Sequence, residues 1–254
     1  MSKLSVITPT LNMARWLPET VASVAALQSP HEQLIIDAAS TDGTVEYLQG
    51  LDDPSVRWIS EPDRGQPHAM NKGLDRVEGD LVGWLNADDA YVPDAVDRAI
   101  AFLDAHPEVD AVFGWEDVID DDGNVVGAIQ PGRFSWRRWL FVGDYIPTET
   151  IIFRKRLLDG GERLDERYKD SSDYDFFLRV LKGRRVHLMR EPLVRFRYWE
   201  GSKTEQNVRL RAEAQEIRHR WARDDRDMKV MNAINWVQEL RNRVLDPWPE
   251  VGGS

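Results

Sequence analysis

The chain contains no cysteine, which excludes disulfides, zinc–thiolate centres and a cysteine nucleophile. Histidine is scarce, with 5 in 254 residues, and none falls into the paired helical spacing of a zinc site. Positive charge is short as well: 33 Lys and Arg face 44 Asp and Glu, a formal net charge of −11. Nucleic-acid binding needs a basic face to neutralise phosphates, so the balance argues against that class of partner. No apolar run is long enough to cross a bilayer. The first residues lack a signal-peptide apolar region and run straight into a strand-like segment, so a cytoplasmic protein is expected. Internal repeats, low-complexity tracts and a convincing interdomain linker are also missing. With 42% hydrophobic and 30% charged residues, the composition is that of a globular protein rather than a disordered one.

What is present is an alternation of short apolar runs and helical patterns through the first half. Strands are expected at residues 4–8, 34–37, 56–60 and 80–85, with helices at 15–27, 45–51, 67–76 and 94–105. That order predicts an α/β fold with a mostly parallel sheet flanked by helices. The second half changes character. Residues 111–119 and 125–129 flank Asp120-Asp121-Asp122-Gly123-Asn124, a hairpin turn. A tryptophan- and arginine-rich segment follows at 133–141, in which Ser135 can cap a short helix. Further strands are expected at 150–153, 186–189 and 193–198, and a helix at 172–181 opened by serine and aspartate. From residue 205 the chain reads as a charged helical extension, broken around 223–227.

Ligands of open parallel sheets collect beyond the carboxyl ends of the strands. Four successive strand ends deliver Thr8-Pro9-Thr10-Leu11-Asn12, Asp37 through Thr44, Glu61-Pro62-Asp63-Arg64-Gly65-Gln66, and Asn86-Ala87-Asp88-Asp89. Small, polar and acidic residues therefore converge on one edge. Adjacent carboxylates such as Asp88 and Asp89 repel unless solvated or joined by a cation. A hard divalent ion takes oxygen ligands and shares them with substrate phosphates. The plainer reading of Asp88 and Asp89 is a helix cap, and the three matching strand ends weigh against it. An acidic protein that binds a diphosphate must also supply positive charge locally, from arginine, helix N-termini or a metal.

These segments, with Gly83-Trp84-Leu85-Asn86-Ala87-Asp88-Asp89 at their centre, resemble the inverting glycosyltransferases of family 2, over roughly residues 4–202. The resemblance implies a GT-A domain at residues 1–204 with the helical extension at 205–254. It also implies transfer of a sugar from a UDP-, GDP- or dTDP-sugar to a hydroxyl of a glycan or lipid-linked acceptor, with Mn²⁺ or Mg²⁺. By resemblance, Thr8, Pro9, Thr10 and Asn12 line the nucleotide pocket and Asp37 accepts a hydrogen bond from the base. Asp63, Arg64 and Asn86 lie near the donor, Asp88 faces the ribose or sugar, and Asp89 holds the metal. The acidic segment Asp170-Ser171-Ser172-Asp173-Tyr174-Asp175 ahead of an aromatic helix makes Asp173 the expected general base, with Asp170 and Asp175 as competitors. Asp144, Tyr145, Thr148 and Glu149 are expected on the acceptor side.

One departure stands out. Many relatives carry a histidine after the last strand, where this chain has Trp199, and an indole nitrogen cannot ligate a metal. Trp199 is placed with the acceptor-side residues, and Trp136, Trp139 and Trp199 are candidates for stacking on sugar faces, although tryptophan is more often core or lid. Two other readings stay open: a non-catalytic nucleotide-sugar or glycan-binding module, and a sugar-phosphate nucleotidyltransferase. The second should show a glycine- and lysine-rich loop after the first strand, where this chain has Thr-Pro-Thr-Leu-Asn. The arginine-rich extension reads first as a solvated face or dimer contact, with peripheral contact to a membrane surface as the alternative.

Overall fold

The computed structural model describes residues 1–143, 146–199, 207–222, 229, 230 and 233. In chain order, the first half supplies β1 (Leu4–Thr10), α1 (Leu17–Ala25), β2 (His31–Asp37), α2 (Thr44–Gln49), β3 (Val56–Ser60), α3 (Gln66–Leu74), β4 (Leu81–Trp84), β5 (Ala90–Tyr91) and α4 (Pro93–Ala105). The second supplies β6 (Ala111–Ile119), β7 (Val125–Ile129), α5 (Trp136–Val142), β8 (Ile152–Arg154), α6 (Ser172–Val180), β9 (Val186–Arg197) and α7 (Asn207–Trp221). Strands β3, β2, β1 and β4 lie side by side and parallel, so their carboxyl ends share one edge, as the sequence predicts. Every residue of β1 is buried. Leu4 and Val6 pack with α4 on one face, and Ile7 packs with α3 on the other. A strand covered on both faces has to be apolar throughout, which explains the short unbroken run.

Past β4 the sheet becomes mixed. β8 runs antiparallel to β4 and β6, and β6 runs parallel to β9. Two expectations are corrected here. The strands anticipated at 186–189 and 193–198 are one strand, β9, whose register with β6 shifts twice around Trp115 and Pro192. Proline cannot donate to the ladder, and the local bulge lets the strand continue past it. The short β5, unanticipated, pairs with β9 through Ala90 and Arg195 and through Tyr91 and Val194. It ties the Asp88–Asp89 segment to the far side of the sheet.

The larger core lies between the sheet and α3, α5, α6 and α7. Trp84, Phe153, Phe176 and Phe177 meet there, and Ala214 and Ile217 of α7 belong to the same cluster. Glu213 of α7 accepts the backbone N–H groups of Lys169, Asp170 and Ser171 at 2.8–3.0 Å. The described part of the extension is therefore joined to the loop that precedes α6. Trp139 is fully buried and stacks on Phe177. Trp136 donates its indole N–H to the Leu178 carbonyl and packs edge-on against Trp221. Trp139 is thus a core residue and Trp136 is partly buried against the core, the place tryptophan more often takes than sugar stacking.

Helix α3 approaches β1 so closely that a Cβ on Gly73 would overlap the Ile7 side chain, lying 3.2 Å from its Cγ1. Gly73→Ala is expected to cost about 1–3 kcal/mol by overpacking, read as a lower urea midpoint with an unchanged m-value. A neutral substitution would mean that the helix shifts without penalty.

Candidate active site

The loops beyond β1, β2, β3 and β4 form the floor of the site. Thr8 is buried and its hydroxyl accepts from Gln33 Nε2 at 2.9 Å. The Thr10 hydroxyl is buried with no partner among the described residues. Asn12 at φ 54° and Ala39 at φ 61° are the non-glycine residues with positive φ in the described chain. Such backbone strain persists where neighbouring bonds fix it. Asn12 donates its N–H to Ser40 Oγ at 2.7 Å and accepts from Thr41 N–H at 2.9 Å through its side chain. Asp37, fully buried, accepts from Ser40 N–H, Ser40 Oγ and Ser60 Oγ at 2.5–3.0 Å. Three hydroxyl and amide donors offset its desolvation and still leave acceptor capacity on the carboxylate. Asp42 receives the N–H groups of Ala14 and Thr44, both at 3.0 Å, and so fastens the start of α2 to the β1 loop.

Beyond β3, Asp63 accepts the Gly65 N–H at 2.7 Å. Gly65, at φ 114°, turns the chain into the first turn of α3, a conformation open to glycine. The Arg64 guanidinium is gripped by Glu166 in a two-pronged pair at 2.9 and 3.0 Å, with its side chain 65% exposed. Lys169 reaches the same loop and donates to the Arg64 carbonyl at 2.8 Å, a cation that the sequence reading missed.

The acidic centre follows β4. Asn86 receives Gln66 Nε2 at 2.9 Å, and its own amide donates to Glu149 Oε1 at 2.9 Å and Asp89 Oδ2 at 3.1 Å. Asp89 is 1% exposed, and its other oxygen accepts the Arg197 N–H at 2.9 Å. Burial, and then the nearby Asp88 and Glu149 carboxylates, push its pKa well above the ordinary range. Burial and then Asp173 push Glu149 up to about 7. Asp88 accepts the Trp199 indole N–H at 2.9 Å through Oδ2, while its carbonyl accepts Arg197 Nε at 3.0 Å. Arg197 is itself 1% exposed and also reaches the carbonyls of Asp120 and Asp121 and the Glu19 carboxylate. Nothing in the sequence alternation separates it from exposed Arg195, which has the same parity in β9.

Asp173 stands at the start of α6. Its Oδ2 accepts from the Thr148 hydroxyl at 2.7 Å. Thr148, Glu149, Asn86, Asp88 and Asp89 therefore lie on one continuous polar rim with Asp173, and Trp199 closes its far end. The competitors sit elsewhere in the polar network. Asp175 is fully buried between Arg179 and Arg220, and Asp170 is held by Arg209 and faces α7. Asp144 and Tyr145 lie outside the described residues.

The residues at this rim fit a divalent cation. They offer hard carboxylate oxygens; burial first, and then neighbouring carboxylates (Asp88 and Glu149 for Asp89, Asp173 and Asp88 for Glu149), raise both pKa values, and a bound ion relieves such repulsion. Among the described residues no group of three or more acidic or histidine side chains forms a closed cage.

A family model described as glycosyl transferase family 2 matches residues 5–160. An uncharacterized glycosyltransferase of Mycobacterium tuberculosis is 34% identical over 184 residues, covering 70% of this chain and 68% of its own. The chain belongs to glycosyltransferase family 2. A PGL/p-HBAD biosynthesis glycosyltransferase of Mycobacterium bovis is also similar to this glycosyltransferase, at 33% identity over 185 residues and 70% of each chain. Among solved structures, the Pyrobaculum calidifontis mannosyltransferase PcManGT, in complex with GDP-Man and Mn²⁺, aligns over 100% of this chain and 76% of its own. Its TM-score is 0.68 at 19% identity. S. aureus TarS residues 1–349, in complex with UDP, aligns over 98% and 76% with a TM-score of 0.67 at 18% identity. The enzyme has the GT-A fold expected from its sequence. No helix among its described residues is long and apolar enough to cross a membrane.

Proposed function

We propose that this glycosyltransferase moves a sugar from a nucleoside-diphosphate donor to an acceptor hydroxyl in one in-line displacement with inversion. The arrangement of Asp173 carries the reading. It faces Thr148 and Glu149 across the rim from Asp88 and Asp89, and the competing Asp170 and Asp175 are held by arginines elsewhere in the polar network. In this reading Asp173 takes the proton of the acceptor hydroxyl as that oxygen bonds to the anomeric carbon. The bond from that carbon to the diphosphate oxygen breaks, and the diphosphate leaves with the electron pair. Asp89, flanked by Asp88, would hold Mn²⁺ or Mg²⁺, whose chemistry is to neutralise charge on the leaving diphosphate. Thr8, Pro9, Thr10, Asn12 and Asp37 receive the nucleoside, with Asp63, Arg64 and Asn86 at the donor's edge. Thr148 and Glu149 border the acceptor, a glycan or a lipid-linked one. The unpartnered Thr10 hydroxyl and the spare acceptor capacity of Asp37 support the nucleoside position. The UDP and GDP-Man complexes of TarS and PcManGT support a nucleotide-sugar donor.

Thermal unfolding with UDP, GDP and dTDP, each with and without Mn²⁺, tests this directly. A ligand at 100 times its Kd stabilises by about 2.7 kcal/mol, so at least one nucleotide should raise the Tm by several degrees only when Mn²⁺ is present. Donor turnover followed by NMR at the anomeric proton should then show a β product from an α donor. A retained configuration would overturn the single displacement.

A further inference from the structure

Trp199 is half-buried at the end of β9, and two independent contacts fix it. Its indole ring packs on Trp16 with centroids 4.7 Å apart, and its Nε1–H donates to Asp88 Oδ2 at 2.9 Å. Trp16 in turn carries the Arg15 guanidinium at 4.7 Å from its ring centroid, and Arg15 pairs with Asp121 at 3.2 Å. Asp121 belongs to the hairpin turn whose carbonyls Arg197 also binds. The segment before α1, the β6–β7 turn and the end of β9 therefore meet at Asp88.

We infer that Trp199 is a positioning residue, whose indole N–H orients the Asp88 carboxylate toward the donor while Trp16 holds the ring in place. This rests on the proposed donor site. A carboxylate beside a second acid can rotate, and a charge-assisted hydrogen bond to one oxygen selects one rotamer. The indole donates one hydrogen bond and accepts none. Trp199 thus supplies geometry to Asp88 without competing for a metal. Ring shape alone would explain the Trp16 contact but not a donor aimed at the acid.

The test separates the N–H from the ring. Trp199→Phe keeps an aromatic packing surface on Trp16 and removes the donor, and Trp199→His restores a nitrogen donor on a smaller ring. Loss of a comparable orienting partner costs about 10–100-fold in affinity or activity. Trp199→Phe should therefore weaken UDP or GDP binding with Mn²⁺ by about tenfold or more, with Trp199→His recovering most of the loss. Equal affinity for wild type and Trp199→Phe, or no recovery in Trp199→His, overturns the inference. A second reading needs no nucleotide. Among the indole ¹⁵N–¹H signals of the 10 tryptophans, the one missing in Trp199→Phe should shift in Asp88→Ala of the unliganded protein. An unmoved signal overturns the bond itself. If that signal moves but wild type binds no nucleotide, the proposed donor site fails while the Trp199–Asp88 contact stands.

Discussion

Asp173→Asn is expected to lower the rate of sugar transfer by about 10²–10⁴-fold, the usual contribution of a general base. Asparagine keeps the size of the side chain and can still accept the Thr148 hydroxyl through its oxygen. It cannot take a proton at neutral pH. Donor affinity should change little, because Asp173 borders the acceptor side of the rim in the proposed reading. The competing acids provide the contrast. Asp175 is fully buried between Arg179 and Arg220, and breaking a buried charge pair from one side costs about 3–5 kcal/mol. Asp175→Asn should therefore lower the Tm sharply, with residual activity tracking the folded fraction. Single-turnover rates beside calorimetric unfolding separate the two outcomes. Near-normal turnover in folded Asp173→Asn would move the base to another group.

The contrast between these two aspartates shows where the sequence stops being informative. Both lie in one six-residue acidic segment, and both sit in the first turn of α6, where the helix dipole favours acids. What distinguishes them is the partner each meets across the fold. Arg220 comes from α7, 45 positions along the chain, and no local pattern announces it. Strand ends behave in the opposite way. β1, β2 and β4 are apolar because helices cover them, and their polar ends converge because parallel strands point the same way. Run and ending are both local features, so the floor of the site could be read directly. The β6–β7 hairpin was legible for the same reason, since its turn chemistry is contained in five residues. β5 is two residues long, too short to carry a period. α7 is rich in charge, yet Ala214 and Ile217, three positions apart on one face, enter the main core. Trp139 looked available for a ligand only because exposure is not written in residue type.

Asp89→Asn is expected to reduce Mn²⁺-dependent nucleotide affinity by about 10²-fold or more and to change how stability depends on pH. The first effect follows from removing a buried charged oxygen of the proposed ion site. The second follows from linkage. Asp89 and Glu149 have folded pKa values above their unfolded ones, the second at about 7. A carboxyl of this kind favours the folded state while protonated. That stabilisation is complete below the unfolded carboxylate pKa and is lost as pH rises through the folded value. Without divalent ion, wild type should therefore lose stability between about pH 5 and 8, by on the order of 2 kcal/mol from Glu149 alone. Saturating Mn²⁺ should reverse the trend, since the ion binds the ionised carboxylates and its binding releases protons. Asp89→Asn removes one titrating group and one like-charge neighbour, so its metal-free stability should vary less steeply over the same range. The absolute stability is less informative, because the asparagine amide must face the Asn86 donor now bonded to Asp89. The slope decides it. Urea unfolding at pH 5, 6.5 and 8, with EDTA or with Mn²⁺, yields both slopes from one protein preparation. If wild type gains stability toward pH 8 in EDTA, or if Mn²⁺ leaves the slope of wild type unchanged, the acidic centre is not the cation site.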